Sequence, residues 1–525
     1  MFQYLSFIKQ LNFFQNLETK KDCYISSIEG VEKKILLVPS NRKTFTIKEK
    51  LIVKKNFPHN KVIKFYIENK NGDVLGSLFI SVTKNCEGLI LPINIKKPSV
   101  NLTILTTLES WFTKIVGVED IYVLTSSFSS KLLKPTNKKT ININSSQKLF
   151  KLKTQKRKKD NLILTAGPSI SNKEIFYAND AAANGWNNSW SKYLDKFEEK
   201  FADYIGSKYA IATSSCTGAL QIALMALDIG PGDEVIVPDL TWVSTANAVK
   251  FVGATPIFAD VEFNSWNLDP NSVQKLINNN TKAIMPVHMY GNPASMNKIS
   301  SLAKKYKLYI IEDAAPAIGA SFNGKTIGNF GDFSGFSFQG AKLLVTGEGG
   351  MLVTSNYDLY KKARKIWDQG RNPKKTFWID GPGVKFKMSN IQAAIGLGQL
   401  ERADELIAMK RRIFSWYYEE LSQFKDIQLH QEIDGAKGIY WMSSIFLNSE
   451  AKLERNLLIK KLRENKIDSR PVFPAISQYP IWPKKQAPKI TALNIGNRSI
   501  NLPSGVCLKK DEVIFISKTL RNLLS

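Results

Sequence analysis

Residues 209–259 read YAIATSSCTGALQIALMALDIGPGDEVIVPDLTWVSTANAVKFVGATPIFA. Three short apolar runs, Tyr209–Ala212, Glu234–Val237 and Thr255–Phe258, alternate with two stretches of helical spacing, Ala219–Leu227 and Ser244–Phe251. Strands that are apolar throughout, separated by helices, belong to a mostly parallel sheet covered on both faces. The pattern continues downstream, with further strands expected at Ala283–Val287 and Leu308–Ile311. In such a sheet ligands bind beyond the carboxyl ends of the strands, so the loops there are where chemistry is sought.

Three loops qualify. In the first, Glu312-Asp313 directly follows the apolar run Ile310-Ile311, which puts an acid at a strand's carboxyl end; capping of a following helix would explain the pair equally well. The second, Phe336-Ser337-Phe338-Gln339-Gly340-Ala341-Lys342, leads into the glycine-dense Thr346-Gly347-Glu348-Gly349-Gly350-Met351. A lysine between apolar walls has a lowered pKa and can attack a carbonyl as a free amine, while glycines let backbone approach a bulky cofactor. In the third, Thr213-Ser214-Ser215-Cys216-Thr217-Gly218 opens a helix with hydroxyls and free N–H groups, the makings of a phosphate site.

A phosphate cradle, a strand-end acid and a lysine, in that order on an α/β sheet, meet the needs of pyridoxal phosphate (PLP). With these loops come Phe197–Ala202, Gly232–Pro238, Gly253–Pro256, Val287-His288-Met289-Tyr290-Gly291 and Met388–Ala394. Together they resemble the PLP-dependent nucleotide-sugar aminotransferases of the DegT/DnrJ/EryC/StrS family, over about residues 165–525. The resemblance implies an aspartate-aminotransferase-like α/β fold: a large PLP-binding domain over 161–415 with a mostly parallel central sheet, and a smaller C-terminal α+β domain over 416–525.

It also implies roles. Lys342 would hold the cofactor covalently and shuttle the proton, and Asp313 would face the pyridine nitrogen. Trp242 would stack on the ring; Ser337, Cys216 and Thr217 would bind the phosphate. Lysine rather than histidine at 342 favours an aminotransferase over the related sugar 3-dehydratases. Two positions depart from the family's pattern. Pro316 stands where a Gln or Glu commonly contacts the cofactor. Lys385 replaces an Asn that reaches the neighbouring subunit's cofactor phosphate, so a homodimer with shared sites is expected, with the lysine acting as a point charge.

The substrate implied is a nucleotide-linked 4-keto-6-deoxyhexose, GDP-4-keto-6-deoxymannose foremost, aminated at carbon 4 from glutamate for a surface polysaccharide such as O-antigen. UDP- and dTDP-linked sugars stay open, as does a PLP-binding regulator without turnover. The stretches Tyr440–Ser444, Ser469–Pro474 and Ile500–Ser504 support this reading; His288, Trp441 and Arg470 are candidate substrate contacts, with His288 lining the site or standing behind its lining rather than serving as base.

Composition bounds the rest. A hydrophobic share of 43% in 525 residues rules out a wholly disordered chain. Four cysteines without a C-x-x-C pair, and three scattered histidines, give neither a disulfide framework nor a zinc spacing. No apolar run reaches a membrane span, and the N-terminus lacks a signal-peptide pattern, so a cytoplasmic location is expected. Of the net charge of +27, residues 1–160 carry +17, from 29 Lys+Arg against 12 Asp+Glu.

That first third lies outside the resemblance. A small α+β accessory domain is expected over 1–135, with a hairpin of Lys64–Glu68 and Val74–Val82 turned at Asn71-Gly72, a helix around 102–116 and a strand at Ile121–Leu124. Its pattern faintly resembles a GNAT-type acyltransferase, but Ile93–Val100 lacks the glycine-rich pyrophosphate loop; a docking or substrate-delivery module is the preferred reading. Residues 136–160 read as a basic linker. Nucleic acid is not an expected partner, since no aromatic-basic motif accompanies the charge.

Overall fold

The computed structural model describes residues 162–482 and 489–525 in full, and before them the backbone of nine strands between Lys33 and Leu152. Those strands belong to one compact unit and residues 155–525 to another.

In the larger unit the apolar runs become a seven-stranded sheet: Tyr209–Thr213 (β1), Glu234–Pro238 (β2), Thr255–Ala259 (β3), Thr281–Ile284 (β4), Tyr309–Asp313 (β5), Phe333–Ser337 (β6) and Gly350–Thr354 (β7). The order is β1-β7-β6-β5-β4-β2-β3, and β7 alone runs antiparallel to its neighbours. Six of seven strands are therefore parallel, as the uninterrupted apolar runs require. The expected strand Ala283–Val287 shortens at its end. Pro286 has no N–H to give the ladder, and beyond it only Val287 bridges to Asp313. Phe258, Ile284, Ile311 and Phe336 are fully buried in the core, with helices packed on the sheet.

A second core holds the C-terminal part. The strands Ile427–Leu429, Ser443–Leu447, Ser499–Leu502 and Arg470–Pro471 form one sheet in that order, against helices Ala403–Leu421, Arg455–Glu464 and Lys510–Leu524. Helix Ala403–Leu421 serves both cores: Leu406 and Met409 pack with the large sheet, Ile413, Phe414 and Tyr417 with the small one. It spans the expected domain boundary at 415/416.

In the N-terminal unit, Lys61–Glu68 and Val74–Val82 pair antiparallel, as the Asn71-Gly72 turn implies. They lie inside a nine-stranded sheet whose one parallel pair is Glu87–Ile90 with Asp120–Ser126. The expected helix around 102–116 lies outside the described residues. The stretch whose basic composition reads as a linker contains the paired strands Thr140–Asn144 and Gln147–Leu152. There Thr-Ile-Asn-Ile-Asn alternates with strand period, a signal that the lysine count hides.

Candidate active site

Register puts the three chemical loops side by side. Thr213 at the end of β1 pairs with Gly350, and Gly350 pairs with Ser337 at the end of β6. The helix Cys216–Ala226 (α1) starts directly behind, its first turn capped by Ser215 Oγ, which accepts from the Gly218 N–H at 3.0 Å. A Cβ on Gly350 would stand 2.4 Å from the Ser215 carbonyl carbon and 2.5 Å from the Cys216 nitrogen. Glycine there is what lets the helix start sit against the sheet.

Asp313 ends β5, next to β6 in the sheet. Its carboxylate is buried; Oδ2 accepts the Thr245 hydroxyl at 2.7 Å and Oδ1 the Ala315 N–H at 3.2 Å. Cys216 Sγ lies 4.0 Å from Oδ1. Burial raises the Asp313 pKa against the opposing pull of Thr245, Ala315, Lys342 and His288. The neighbouring Glu312 is different. It accepts from the N–H groups of Gly328, Phe330 and Gly331, from Ser334 and from His288, and these hydrogen bonds outweigh burial and hold its pKa down. Of the sequence pair, Glu312 is thus committed to the fold and Asp313 faces the lysine.

Lys342 follows β6. Burial pushes its amine down to about 8, with Asp313 and Cys216 pulling the other way. Its Nζ stands 3.8 Å from the ring centroid of Trp441, and the Trp441 indole N–H donates to Ala341 O at 2.7 Å. Trp242 is 55% exposed beside Phe473, and its carbonyl accepts the Thr245 backbone N–H at 3.2 Å. Ser337 is buried at its strand end, and Thr217 is half-buried on the first turn of α1.

Other candidates fall elsewhere. His288 stands behind the site, its backbone N–H donating to the Asp313 carbonyl at 3.2 Å. It is fully buried, with Nε2 against Glu312 at 3.2 Å and Nδ1 accepting the Ala294 N–H at 3.1 Å, which leaves no ring nitrogen for a substrate. Arg470 is exposed, its nearest described acid Asp468 at 3.9 Å. Lys385 is exposed one residue before Phe386, whose carbonyl accepts the Ser214 N–H. Pro316 is buried in the turn after β5. Two residues were given no role from the sequence: Thr245, three positions beyond Trp242, and Tyr290 of the Val287–Gly291 motif, fully buried at φ 51° with its carbonyl accepting the Trp441 N–H. A bulky residue in left-handed backbone is uncommon, and here it brings the Val287–Gly291 motif against Trp441.

These residues fit PLP. The N-terminus of α1 and the Ser337 hydroxyl offer donors to a phosphate. Lys342 offers a neutral amine near pH 8 to a carbonyl. Asp313 is a buried carboxylate whose raised pKa a protonated ring nitrogen would relieve.

An aspartate-aminotransferase-like sheet with this constellation at its strand ends defines a PLP-dependent aminotransferase. A model of the DegT/DnrJ/EryC1/StrS aminotransferase family matches residues 168–521, and the chain belongs to that family. It is a sugar aminotransferase, and its cofactor is PLP. GDP-perosamine synthase of Escherichia coli O157:H7 is 41% identical over 68% of this chain and 97% of its own length; that of Vibrio cholerae is 39% identical over 68% and 97%. Among solved structures, DesI in the presence of its TDP-sugar product matches with a TM-score of 0.64 at 27% identity, covering 69% of this chain and 92% of that one. No helix among the described residues is long and apolar enough to cross a membrane.

Proposed function

We propose that the chain moves the amino group of glutamate to carbon 4 of GDP-4-keto-6-deoxymannose, giving GDP-perosamine for a surface polysaccharide, in the cytoplasm. The observation that carries the reading is the Lys342 amine, pushed down to about 8 beside Asp313 at the carboxyl edge of the sheet. The choice of sugar is supported by the GDP-perosamine synthases, matched over almost their whole length.

Bound PLP supplies an electron sink and a carrier for the amino group. Lys342 Nζ would hold the cofactor at its carbonyl carbon and, when free, would serve as the base that moves a proton from the donor's α-carbon across the linking nitrogen. Asp313, held by Thr245, would keep the ring nitrogen protonated. Trp242 would cover the ring, and Ser337, Cys216 and Thr217 would hold the phosphate. Lys342 would serve the keto sugar as it serves the donor, with the proton moving in the opposite direction. Trp441 borders the amine from the substrate side. Arg470, exposed, is available to a diphosphate.

The working form is a homodimer in which Lys385 reaches the neighbouring site. Its support is the loop before Lys385, where the neighbouring aromatics Phe377 and Trp378 are 92% and 57% exposed, an apolar patch a partner surface would cover. The N-terminal unit, within the first 160 residues that carry +17, is read as a docking or delivery module. The test is incubation with glutamate and GDP-, UDP- and dTDP-linked 4-keto-6-deoxysugars, reading products by mass. An amino sugar from the GDP substrate is expected; turnover of only a UDP or dTDP substrate would sink the choice of nucleotide.

A further inference from the structure

Lys410 has no part in the chemistry above, yet it is buried on helix Ala403–Leu421 at 4% exposure. No carboxylate among the described residues pairs with it. Its Nζ donates instead to two backbone carbonyls, Trp441 O at 2.7 Å and Ser504 O at 2.6 Å. An ammonium taken out of water without a counter-ion costs several kcal/mol, and a methionine would fill much the same volume without that cost. Two carbonyl acceptors offset the burial in part, and what they add is placement.

The two acceptors flank the stretches Tyr440–Ser444 and Ile500–Ser504, which pair as neighbouring strands, Ser443 opposite Leu502 and Ser444 opposite Asn501. Ser443 N–H donates to Ser504 Oγ, and Tyr417, two turns along the helix from Lys410, donates to Pro503 O. Trp441 is therefore held at three points. Its N–H donates to Tyr290 O at 2.9 Å, its carbonyl accepts from Lys410, and its indole N–H donates to Ala341 O, the residue before Lys342. The ring so fixed lies 3.8 Å from the Lys342 amine. Of the three anchors, Lys410 is the one supplied by a side chain from outside the site.

We propose that Lys410 is a positioning residue for the reaction: by gripping the Trp441 carbonyl it fixes the indole against the Lys342 amine. The inference rests on the assignment of Lys342 as the cofactor-binding amine. The groups facing that amine are Asp313 from β5, Cys216 from α1 and the Trp441 ring, so a loosened ring admits water and leaves the two ionisable neighbours in place. The lysine then returns toward its ordinary pKa.

The test compares the full-length chain with its Lys410→Met, Trp441→Phe and double variants. After removal of the cofactor, Lys342 is labelled with trinitrobenzenesulfonate across pH and the labelled peptide quantified by mass. The parent is expected to reach half-maximal labelling near pH 8, each single variant higher, and the double variant no higher than the singles, since both act on one contact. In the loaded enzyme kcat should fall roughly 10- to 100-fold with KM for glutamate little changed, as for a misplaced reacting group. A lowered melting temperature with an unmoved labelling midpoint and unchanged kcat in Lys410→Met would overturn the proposal and leave Lys410 a structural tie. Where that variant does not fold, Lys410→Leu, which also removes the donor, is judged by the same two readouts. An unmoved midpoint in Trp441→Phe also overturns it. Turnover retained by Lys342→Ala would defeat the assignment of the amine itself, a separate outcome from any labelling result.

Discussion

Thr245 donates its hydroxyl hydrogen to Asp313 Oδ2 at 2.7 Å, while its helix, Ser244–Phe251, begins two residues after Trp242. One short element thus ties the ring expected over the cofactor to the acid expected under its nitrogen. A hydrogen bond to a charged group is worth about 1.5–3 kcal/mol. Thr245→Val, nearly isosteric, should weaken PLP binding by about tenfold or more and raise the Asp313 pKa further, whereas Thr245→Ser should retain most of the affinity. Cofactor titration by absorbance reads both, and equal affinity in all three proteins would show that Thr245 does not hold Asp313.

The Lys342 amine, held near 8 by burial, makes cofactor capture pH-dependent. Below that value the amine carries a proton and has no lone pair for a carbonyl; above it the free form dominates. The rate at which the stripped chain captures PLP should climb as pH rises through about 8, then level off. Borohydride should fix the cofactor's mass on the peptide containing Lys342 and on no peptide of Lys342→Ala. A rate that keeps rising to pH 10 would mean an ordinary, solvated lysine.

The sheet and its strand-end loops were legible because parallel strands are buried on both faces, so Val235–Val237 and Ile310–Ile311 read as apolar runs whatever packs on them. Lys342, Asp313 and the start of α1 sit at the ends of those runs and could be found with them. For His288 the sequence left lining and supporting places open, because a histidine in a loop motif carries no mark of which way it points; in the fold both its nitrogens are taken, by Glu312 and Ala294. Thr245 and Lys410 were illegible for a related reason. Their partners lie 68 and 31 or 94 positions away, and a hydroxyl or an amine shows no periodicity that reveals a distant acceptor.

Gly350 tests the cradle without touching a donor. A methyl there would overlap the Ser215 carbonyl carbon and the Cys216 nitrogen, both backbone atoms that cannot rotate away. Gly350→Ala should cost about 1–3 kcal/mol or more in stability by overpacking and weaken phosphate-dependent binding of PLP more than binding of pyridoxal. Gly340, where the nearest atom to a new Cβ is 3.6 Å away, is the control. Equal melting temperatures for the two alanine variants would remove the close approach of α1 as an explanation for the glycine.

Lys410 should leave a signature in stability against pH. Burial lowers its folded-state pKa to about 7, from 10.5 for an ordinary lysine. Between those values the unfolded chain binds a proton that the folded chain does not, so the fold gains stability as pH rises through that window, by up to about 1.4 kcal/mol per pH unit. Below about 7 both states are protonated and the contribution is flat. The neutral amine keeps two hydrogens, enough for the carbonyls of Trp441 and Ser504, so its loss of charge need not break the contact. Lys342, also lowered, adds a slope of the same sign, and the raised Cys216 thiol opposes it above its own ordinary value. Cys216 is unchanged in Lys410→Met, and making the comparison in a Lys342→Ala background removes the Lys342 slope, so subtraction of the curves isolates Lys410. The parent's melting temperature should climb relative to that of Lys410→Met between pH 7 and 9. Parallel curves would mean that Lys410 keeps its proton in the fold, and that the two carbonyls alone sustain a buried ammonium.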